Sequence, residues 1–506
     1  MITSIKALIV VLAIATVTFG FARPIALRFS SKSDFSRRRN VWFILTTAAF
    51  LSPNFWLFVL VAAPVLTWAG KKDSNPIALY LILLHVIPPI PVEIPVLVIK
   101  QLFPLDNYRL LSFCVLIPAA WRLRKLKKGT RIYGLTVMDL SIFAFALLRV
   151  LNYVPPDLPD HTILQDSATH VLRRTFLFFV DAYVLYFVAS RSSFNQRSVS
   201  DALCAFCLVS ALMASVSVFE TLKSWLLYSD ISTRWGAQVI YGSNYGVYSF
   251  RGGYLRAQAS VGNSLPLGYL LAIAFGFWLY LSNVVSARLR IVIAILFWLG
   301  ILTSQARGAL LGAIVILLVF SLLGPRALPR LLKRVVVFAL LVSAAGLTPF
   351  GGRIMNSIPF FAGSTDSTSV DYRQRLAERS WELIQLHPFL GDPLVMTKME
   401  DLRQGEGIID LVNTYAEQTL FYGIIGLAVF LAVILLGVFK AYRVSREIAR
   451  RNRDYSLLGA SLVACMIGTL FTLGTTSFLS AYEIIFYVLA GLAAGYAHVG
   501  KVLEHS

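Results

Sequence analysis

The strongest constraint on this chain is the recurrence of apolar runs close to the thickness of a bilayer, punctuated by short basic clusters. A hydrocarbon core about 30 Å thick takes about 20 apolar residues per helical crossing. Runs of this kind lie near residues 4–22, 41–52, 54–69, 76–98, 105–121, 136–155, 174–190, 199–218, 262–284, 289–304, 306–323, 335–349, 419–440, 455–474 and 477–497. With 57% hydrophobic and 14% charged residues over 506 positions, and a mean hydropathy of +0.71, the composition lies far outside the soluble range. The expected fold is all-α, a polytopic helical membrane protein of about 12–15 transmembrane helices in a single integral membrane domain. Val41 to Ala69 is long for one crossing and short for two, and Ser52-Pro53-Asn54 supplies the break that makes it a short hairpin. The first run reads as a retained helix, because only Lys6 precedes its apolar centre and no convincing small-residue cleavage site precedes Arg23.

The formal charge of +20 would suit nucleic acid if the cations shared one polar domain. They do not. They fall at Arg23 to Arg39, Lys71-Lys72, Arg122 to Arg131, Arg191 to Arg197, Arg288 and Arg290, Arg326 to Arg334, and Lys440 to Arg453, between apolar runs. With the hairpin counted as two crossings, all of these lie on one side, which the positive-inside rule makes cytoplasmic. The other side receives Pro155 to Leu172 with Asp157, Asp160 and Asp166, the 219–261 loop, and the long stretch Phe350 to Gln418. The four cysteines, Cys114, Cys204, Cys207 and Cys465, sit in apolar segments, and Cys204-x-x-Cys207 lacks the further ligands of a zinc site.

The expected organisation is residues 1–349 as the first part of the bundle, 350–418 as a large external loop and 419–506 as the C-terminal transmembrane helices. The loop holds ten acidic residues against six Lys and Arg. A loop this long without structure of its own is usually functional or disordered. Leu376, Leu383 and Ile384, with Trp381 and Phe389 nearby, predict an amphipathic helix over about Ser369 to Leu386, ended by Pro388 and Gly391.

Arginine at a membrane boundary is costly, so Arg256 and Arg307 stand out on the external side, where the positive-inside rule does not account for them. Arg256 precedes a turn at Gly262, Asn263 and Pro266 that opens a helix, and Arg307 sits in the polar break Thr303-Ser-Gln-Ala-Arg-Gly308. A planar, permanently charged fork beside helix N-termini suits phosphate oxygens; snorkelling or pairing with a buried acid is the alternative. His387, Asp410, Glu417 and Glu378 are candidate bases, each with a structural alternative as a cap or solvated loop residue. No metal-ligand spacing, phosphate loop, Ser-His-Asp order or dinucleotide fingerprint occurs, so neither metal nor cofactor is expected. A flippase or transporter could also place arginines in a membrane cavity.

In order, Arg256 with Gly262-Asn263, Thr303-Ser-Gln-Ala-Arg-Gly308, Arg373 or Arg375 with Trp381, His387-Pro-Phe-Leu-Gly391, Asn413-Thr-Tyr415 and Gly423-Ile-Ile-Gly426 resemble the motifs of the O-antigen ligase and polymerase superfamily of bacterial surface-glycan assembly. The resemblance covers about residues 240–430. It implies a multi-pass protein of the bacterial inner membrane whose long loop is periplasmic. It also implies transfer of a glycan from undecaprenyl pyrophosphate to another glycan or to a lipid A core, alongside other polysaccharide-assembly proteins. Arg256, Arg307, Arg373 or Arg375, and Asn413 would bind substrate, and His387, Asp410 or Glu417 would serve catalysis without a metal. Where many ligases carry His before the Asn, this chain has Val412, which shifts the expectation toward a polymerase and leaves Asp410 or Glu417 to supply the base. On the loop helix Arg373 and Arg375 lie about 200° apart and cannot face one ligand; Arg373, at the helix start, is the expected contact.

Overall fold

A computed structural model describes residues 2–94, 102–125, 132, 134–152, 168–236, 245–251, 253–324, 367–403 and 409–505. The expected span 335–349, the basic cluster at 326–334 and the acidic positions Asp157, Asp160 and Asp166 lie outside them. The first half contains α1 (Ile2–Phe29), α2 (Lys32–Leu51), α3 (Phe55–Lys72), α4 (Pro76–Leu83), α5 (Asn107–Leu111), α6 (Ile117–Arg124), α7 (Val137–Leu151), α8 (Ala168–Phe178), α9 (Val184–Ser192) and α10 (Gln196–Lys223). Single π turns at Ser112–Leu116 and Phe179–Tyr183 join α5 to α6 and α8 to α9. The second half contains α11 (Ser229–Arg234), α12 (Ser264–Leu281), α13 (Ala287–Ser304), α14 (Arg307–Leu323), α15 (Ser367–Leu386), α16 (Thr414–Ile448), α17 (Arg453–Leu473) and α18 (Ser480–His505). Two-residue antiparallel pairs, β1 (Val92–Glu93) with β2 (Pro104–Leu105) and β3 (Phe250–Arg251) with β4 (Tyr254–Leu255), are the sheet among the described residues.

Eight of these helices are long and apolar enough to cross a membrane, and α14 is a shorter apolar helix. Their burial sorts them. The apolar windows of α12 and α18 are each 89% buried, whereas those of α1 and α13 are 28% and 22% buried and turn Ile9, Val17, Phe21, Ile291 and Val292 outward. Apolar surface on that scale needs lipid against it. The expected all-α polytopic membrane fold is what the chain adopts.

The hairpin at Ser52-Pro53-Asn54 forms as expected. Asn54 caps α3, its side chain accepting the Leu57 N–H at 2.9 Å, after α2 has ended at Leu51. The expected span over 76–98 is a correction. Helix α4 stops at Leu83, and the buried chain that follows is irregular up to β1. Pro88, Pro89 and Pro91 remove donors and bias the residues before them away from helix. Irregular backbone at membrane depth survives only when protein covers it, and Val86, Ile87 and Ile90 are buried. Helix α2 also starts earlier than its apolar run, because Ser31 caps it and its first turns bury Arg38 between Asp73 (2.7 Å) and Asp201 (2.8 Å).

Contacts between helix ends give the bundle a consistent polarity. At one end Arg28 donates to the Val284 carbonyl, Arg122 to Gly70, Arg191 to Gly134, and Asn75 to Ser198, so the described basic clusters gather there. At the opposite end the Ala257 N–H donates to the Thr303 carbonyl, Thr414 to Thr476, and Asn152 to Phe421.

Candidate functional site

At that second end, hydrogen-bonded loops and a helix start bring two arginine-bearing segments together. The β3–β4 hairpin delivers Arg256, whose N–H bonds the Ser249 carbonyl at 2.9 Å. Below it the buried Glu220, in the last turn of α10, accepts the N–H groups of Leu227 (3.0 Å), Gln258 (3.0 Å) and Ala259 (2.8 Å), pinning the chain just after Arg256 to the segment that follows α10. Gly262 then takes a positive φ of 74°, and the Asn263 side chain caps α12 through the Leu265 N–H. The Arg256 guanidinium is largely covered, and its Nε and one Nη have no hydrogen-bond partner among the described residues. Burial, and then the nearby Arg251 charge, pull it down to about 10, with Tyr482 opposing them. A covered cation without a counter-charge is costly unless an anion completes it.

Arg307 is the first residue of α14, beyond Gln305 in a left-handed turn (φ 53°). It is half-buried and makes no hydrogen bond or ion pair among the described residues. Arg251 donates to the Gln305 carbonyl at 3.1 Å and the Ala257 N–H to Thr303 at 3.1 Å, which locks the Arg256 hairpin onto the turn that presents Arg307. The two arginines singled out in the sequence are thus carried on directly bonded segments, and the free N–H groups of a helix start lie beside one of them.

The connector between α17 and α18, residues 474–479, joins these segments to the candidate bases. The Ser477 hydroxyl donates to the Asp410 carboxylate in a short hydrogen bond, the Thr414 hydroxyl to the Thr476 carbonyl at 2.7 Å, and the Phe478 N–H to Glu417 at 3.2 Å. Tyr482, just inside α18, lies within electrostatic reach of both Arg256 and Asp410. Gly308 packs so close to Thr475 that a Cβ would meet its hydroxyl at 2.2 Å. Asp410 is half-buried and also accepts the Val412 N–H at 3.2 Å; Glu417, likewise half-buried, is on the first turn of α16. Val412 holds a left-handed φ of 44°, a strained position for a β-branched residue. The Asn413 side chain caps α16 through the N–H groups of Tyr415 and Ala416, so its carbonyl is spent on the helix.

Helix α15 lies over this end. Leu376 and Leu383 pack with Val395, Met399, Leu402 and Leu411, and the Tyr372 hydroxyl donates to the Asp410 carbonyl at 3.1 Å. Arg373 and Arg375 are both exposed, without a hydrogen bond or ion pair among the described residues. Arg379 is committed to Glu382 (2.9 Å) and the Lys398 carbonyl (3.0 Å). His387 is exposed at the end of the helix, and its carbonyl accepts the Gly391 N–H; among the described residues no hydrogen bond or ion pair ties it to the arginines, Asp410 or Glu417. The segment His387 to Gly391 instead docks on a break in α16, with the N–H groups of Ile424 and Ile425 donating to the carbonyls of Pro388 (2.8 Å) and Phe389 (3.4 Å). Sequence reading did not single out Ser477, Tyr482, Glu220 or the Arg149–Glu483 pair (3.9 Å). The carboxylate of Glu483 inside the apolar run 477–497 was a usable signal, whereas hydroxyls in a short connector carry none.

Residues 291–431 match the family model described as O-antigen ligase. The match runs from α13 through α14 and α15 into α16, so it includes Arg307, the loop helix, Asp410 and Glu417, and supports the O-antigen ligase and polymerase superfamily for this chain. No curated protein matches the sequence.

Proposed function

We propose, from the O-antigen ligase match as premise, that the protein transfers a glycan from an undecaprenyl-pyrophosphate carrier to an acceptor hydroxyl at the periplasmic face of the inner membrane. The single observation that carries this reading is the covered Arg256 guanidinium with unpartnered nitrogens, fixed next to the turn that presents Arg307 at a helix start. A diphosphate supplies the missing counter-charge. The acceptor oxygen attacks the anomeric carbon, the bond from that carbon to the diphosphate oxygen breaks, and the leaving diphosphate takes the electron pair. Each guanidinium that meets the growing charge contributes about 2.7–4 kcal/mol on the scale of oxyanion-donor deletions, and a metal is not needed in this scheme. The hydroxyl proton passes to a carboxylate. Asp410 is the proposed acceptor, because Ser477 and the Val412 N–H orient it and Tyr482 links its surroundings to Arg256. Glu417 holds the same connector through the Phe478 N–H, and His387 and Asn413 serve the loop dock and the helix cap. Arg373, next to Tyr372, is the proposed contact of the loop with the donor, in preference to Arg375.

The test is a transfer assay with a lipid-linked glycan donor on purified, correctly inserted protein. Arg307→Lys and Arg256→Lys are expected to lose donor affinity and rate, since lysine lacks the bidentate fork, and Asp410→Asn to lose rate with donor affinity kept. Wild-type turnover in Arg307→Lys, Arg307→Ala and Arg256→Lys together would remove diphosphate binding from these residues.

A further inference from the structure

The basic end of the bundle carries a groove of about 650 Å³ between α1 and α2, at the opposite end from Arg256. Its wall is apolar along Phe19, Gly20, Phe43 and Ile44, and Arg23 and Arg39 stand at its basic end. Gly20 makes the notch, because a Cβ built there would meet nothing within 4 Å. Phe19 forms the floor, buried against Trp42 at 5.7 Å and Phe43 at 5.8 Å. The flank is the outward face of α1, where Val17 and Phe21 are 58% and 70% exposed, so the groove opens where the lipid must be.

The charges around it are not equivalent. Arg37 and Arg38 are taken up by Asp34, Asp73 and Asp201, and Arg28 by the Val284 carbonyl. Arg23 makes no hydrogen bond or ion pair among the described residues, and Arg39 donates there only to its neighbour Asn40, at 3.1 and 2.9 Å. Two guanidiniums with free donors over an apolar slot at the end of a membrane hairpin fit one kind of molecule, with an anionic head and a hydrocarbon tail.

We infer that this groove is a binding site for one anionic glycerophospholipid of the leaflet at the basic end, its phosphate between Arg23 and Arg39 and an acyl chain laid over Gly20 between Phe19, Phe43 and Ile44. A soluble anion would use the arginines and leave the slot empty; a zwitterionic lipid would fill the slot and gain little from the arginines.

Native mass spectrometry of the full-length protein, delipidated in non-ionic detergent and offered phosphatidylglycerol or phosphatidylethanolamine at equal mole fraction, separates these cases. The wild type is expected to retain one phosphatidylglycerol in preference to phosphatidylethanolamine by roughly tenfold, as two interfacial arginines imply. Arg23→Gln with Arg39→Gln should lose the preference, and Gly20→Leu, which fills open space, should lose retention of both lipids at an unchanged melting temperature. Equal retention of the two lipids by the wild type, undiminished preference in the double variant, or full displacement of phosphatidylglycerol by millimolar inorganic phosphate would each overturn the site.

Discussion

The contrast between Arg38 and Arg256 shows what a buried guanidinium can be for. Arg38 is closed by two carboxylates, so removing it strands Asp73 and Asp201, and Arg38→Met is expected to cost about 3–5 kcal/mol. Arg256 has no carboxylate partner among the described residues, and two of its nitrogens are covered without a hydrogen bond. Arg256→Met should therefore leave the ligand-free fold as stable as the parent or up to about 1–3 kcal/mol more stable, the cost of a covered polar group left unmade, while transfer is lost. Melting temperatures in detergent without donor decide it, and a drop on the scale of Arg38→Met would make Arg256 a structural cation. Both Arg256 and Arg307 were legible in the sequence, because a cation on the acidic side of a one-sided charge pattern has to be explained. Ser477 and Tyr482 were not, since a hydroxyl in an apolar chain announces nothing until a tertiary partner such as Asp410 is beside it.

Helix α16 is broken on purpose near its start, and the break is what holds the loop. Gly423 takes φ 64°, which frees the N–H groups of Ile424 and Ile425 for the carbonyls of Pro388 and Phe389, while the Leu420 carbonyl accepts the Asp392 N–H at 2.8 Å and the Phe421 carbonyl the Asn152 side chain at 2.7 Å. The two motifs His387 to Gly391 and Gly423 to Gly426 were visible as separate signals, and the structure gives the reason that they travel together. A Cβ on Gly423 would sit 2.1 Å from the Phe389 carbonyl, so Gly423→Ala adds a backbone clash to a penalty of about 1–3 kcal/mol for a positive-φ, extended conformation that is essentially glycine's alone. Hydrogen exchange over Leu376 to Leu402 should rise sharply in that variant, with the rest of the bundle unchanged; an unaltered exchange pattern would show that the loop is held elsewhere. The dock is also pH-dependent. Burial pushes the Asp392 acid up, but Lys398 at 2.6 Å and the Leu394 N–H outweigh it and leave the folded value below the ordinary 3.8. The pair thus contributes stability above pH of about 4 and loses it as pH falls through the folded value, a sign that proteolysis of the loop across pH 5 to 2.5 would check, with Lys398→Ala flattening the profile. The limits of sequence reading at this scale are equally physical. Counting apolar residues turned 76–98 into a span although three prolines forbid a continuous helix, and it could not see α2 begin at Lys32, because buried ion pairs and not apolar residues carry its first turns.

At the scale of the whole molecule, charge sorts the two ends. The described helices bring Arg28, Arg122, Arg191 and Asn75 into contacts at one end, and Glu220, Asp410, Glu417 and the loop helix at the other. Translocating clustered Lys and Arg is disfavoured, so we propose the first end as the cytoplasmic one. The same arrangement was readable from the sequence only after the ambiguous Val41 to Ala69 was split in two, because a single crossing there would have inverted every later loop; the cap at Asn54 supports the split. The consequence can be measured in intact cells. Of the native cysteines, Cys204, Cys207 and Cys465 are buried and Cys114 is half-buried, which leaves little background for labelling. Glu400→Cys lies on the loop, where Glu400 is exposed and paired only with Arg403 among the described residues, and Arg450→Cys lies in the exposed turn between α16 and α17. A membrane-impermeant maleimide reaching the periplasm should modify position 400 and spare position 450 until the inner membrane is opened. Modification of 400 only after opening would invert the topology, put Arg256 and Arg307 on the cytoplasmic face, and remove the periplasmic site of glycan transfer.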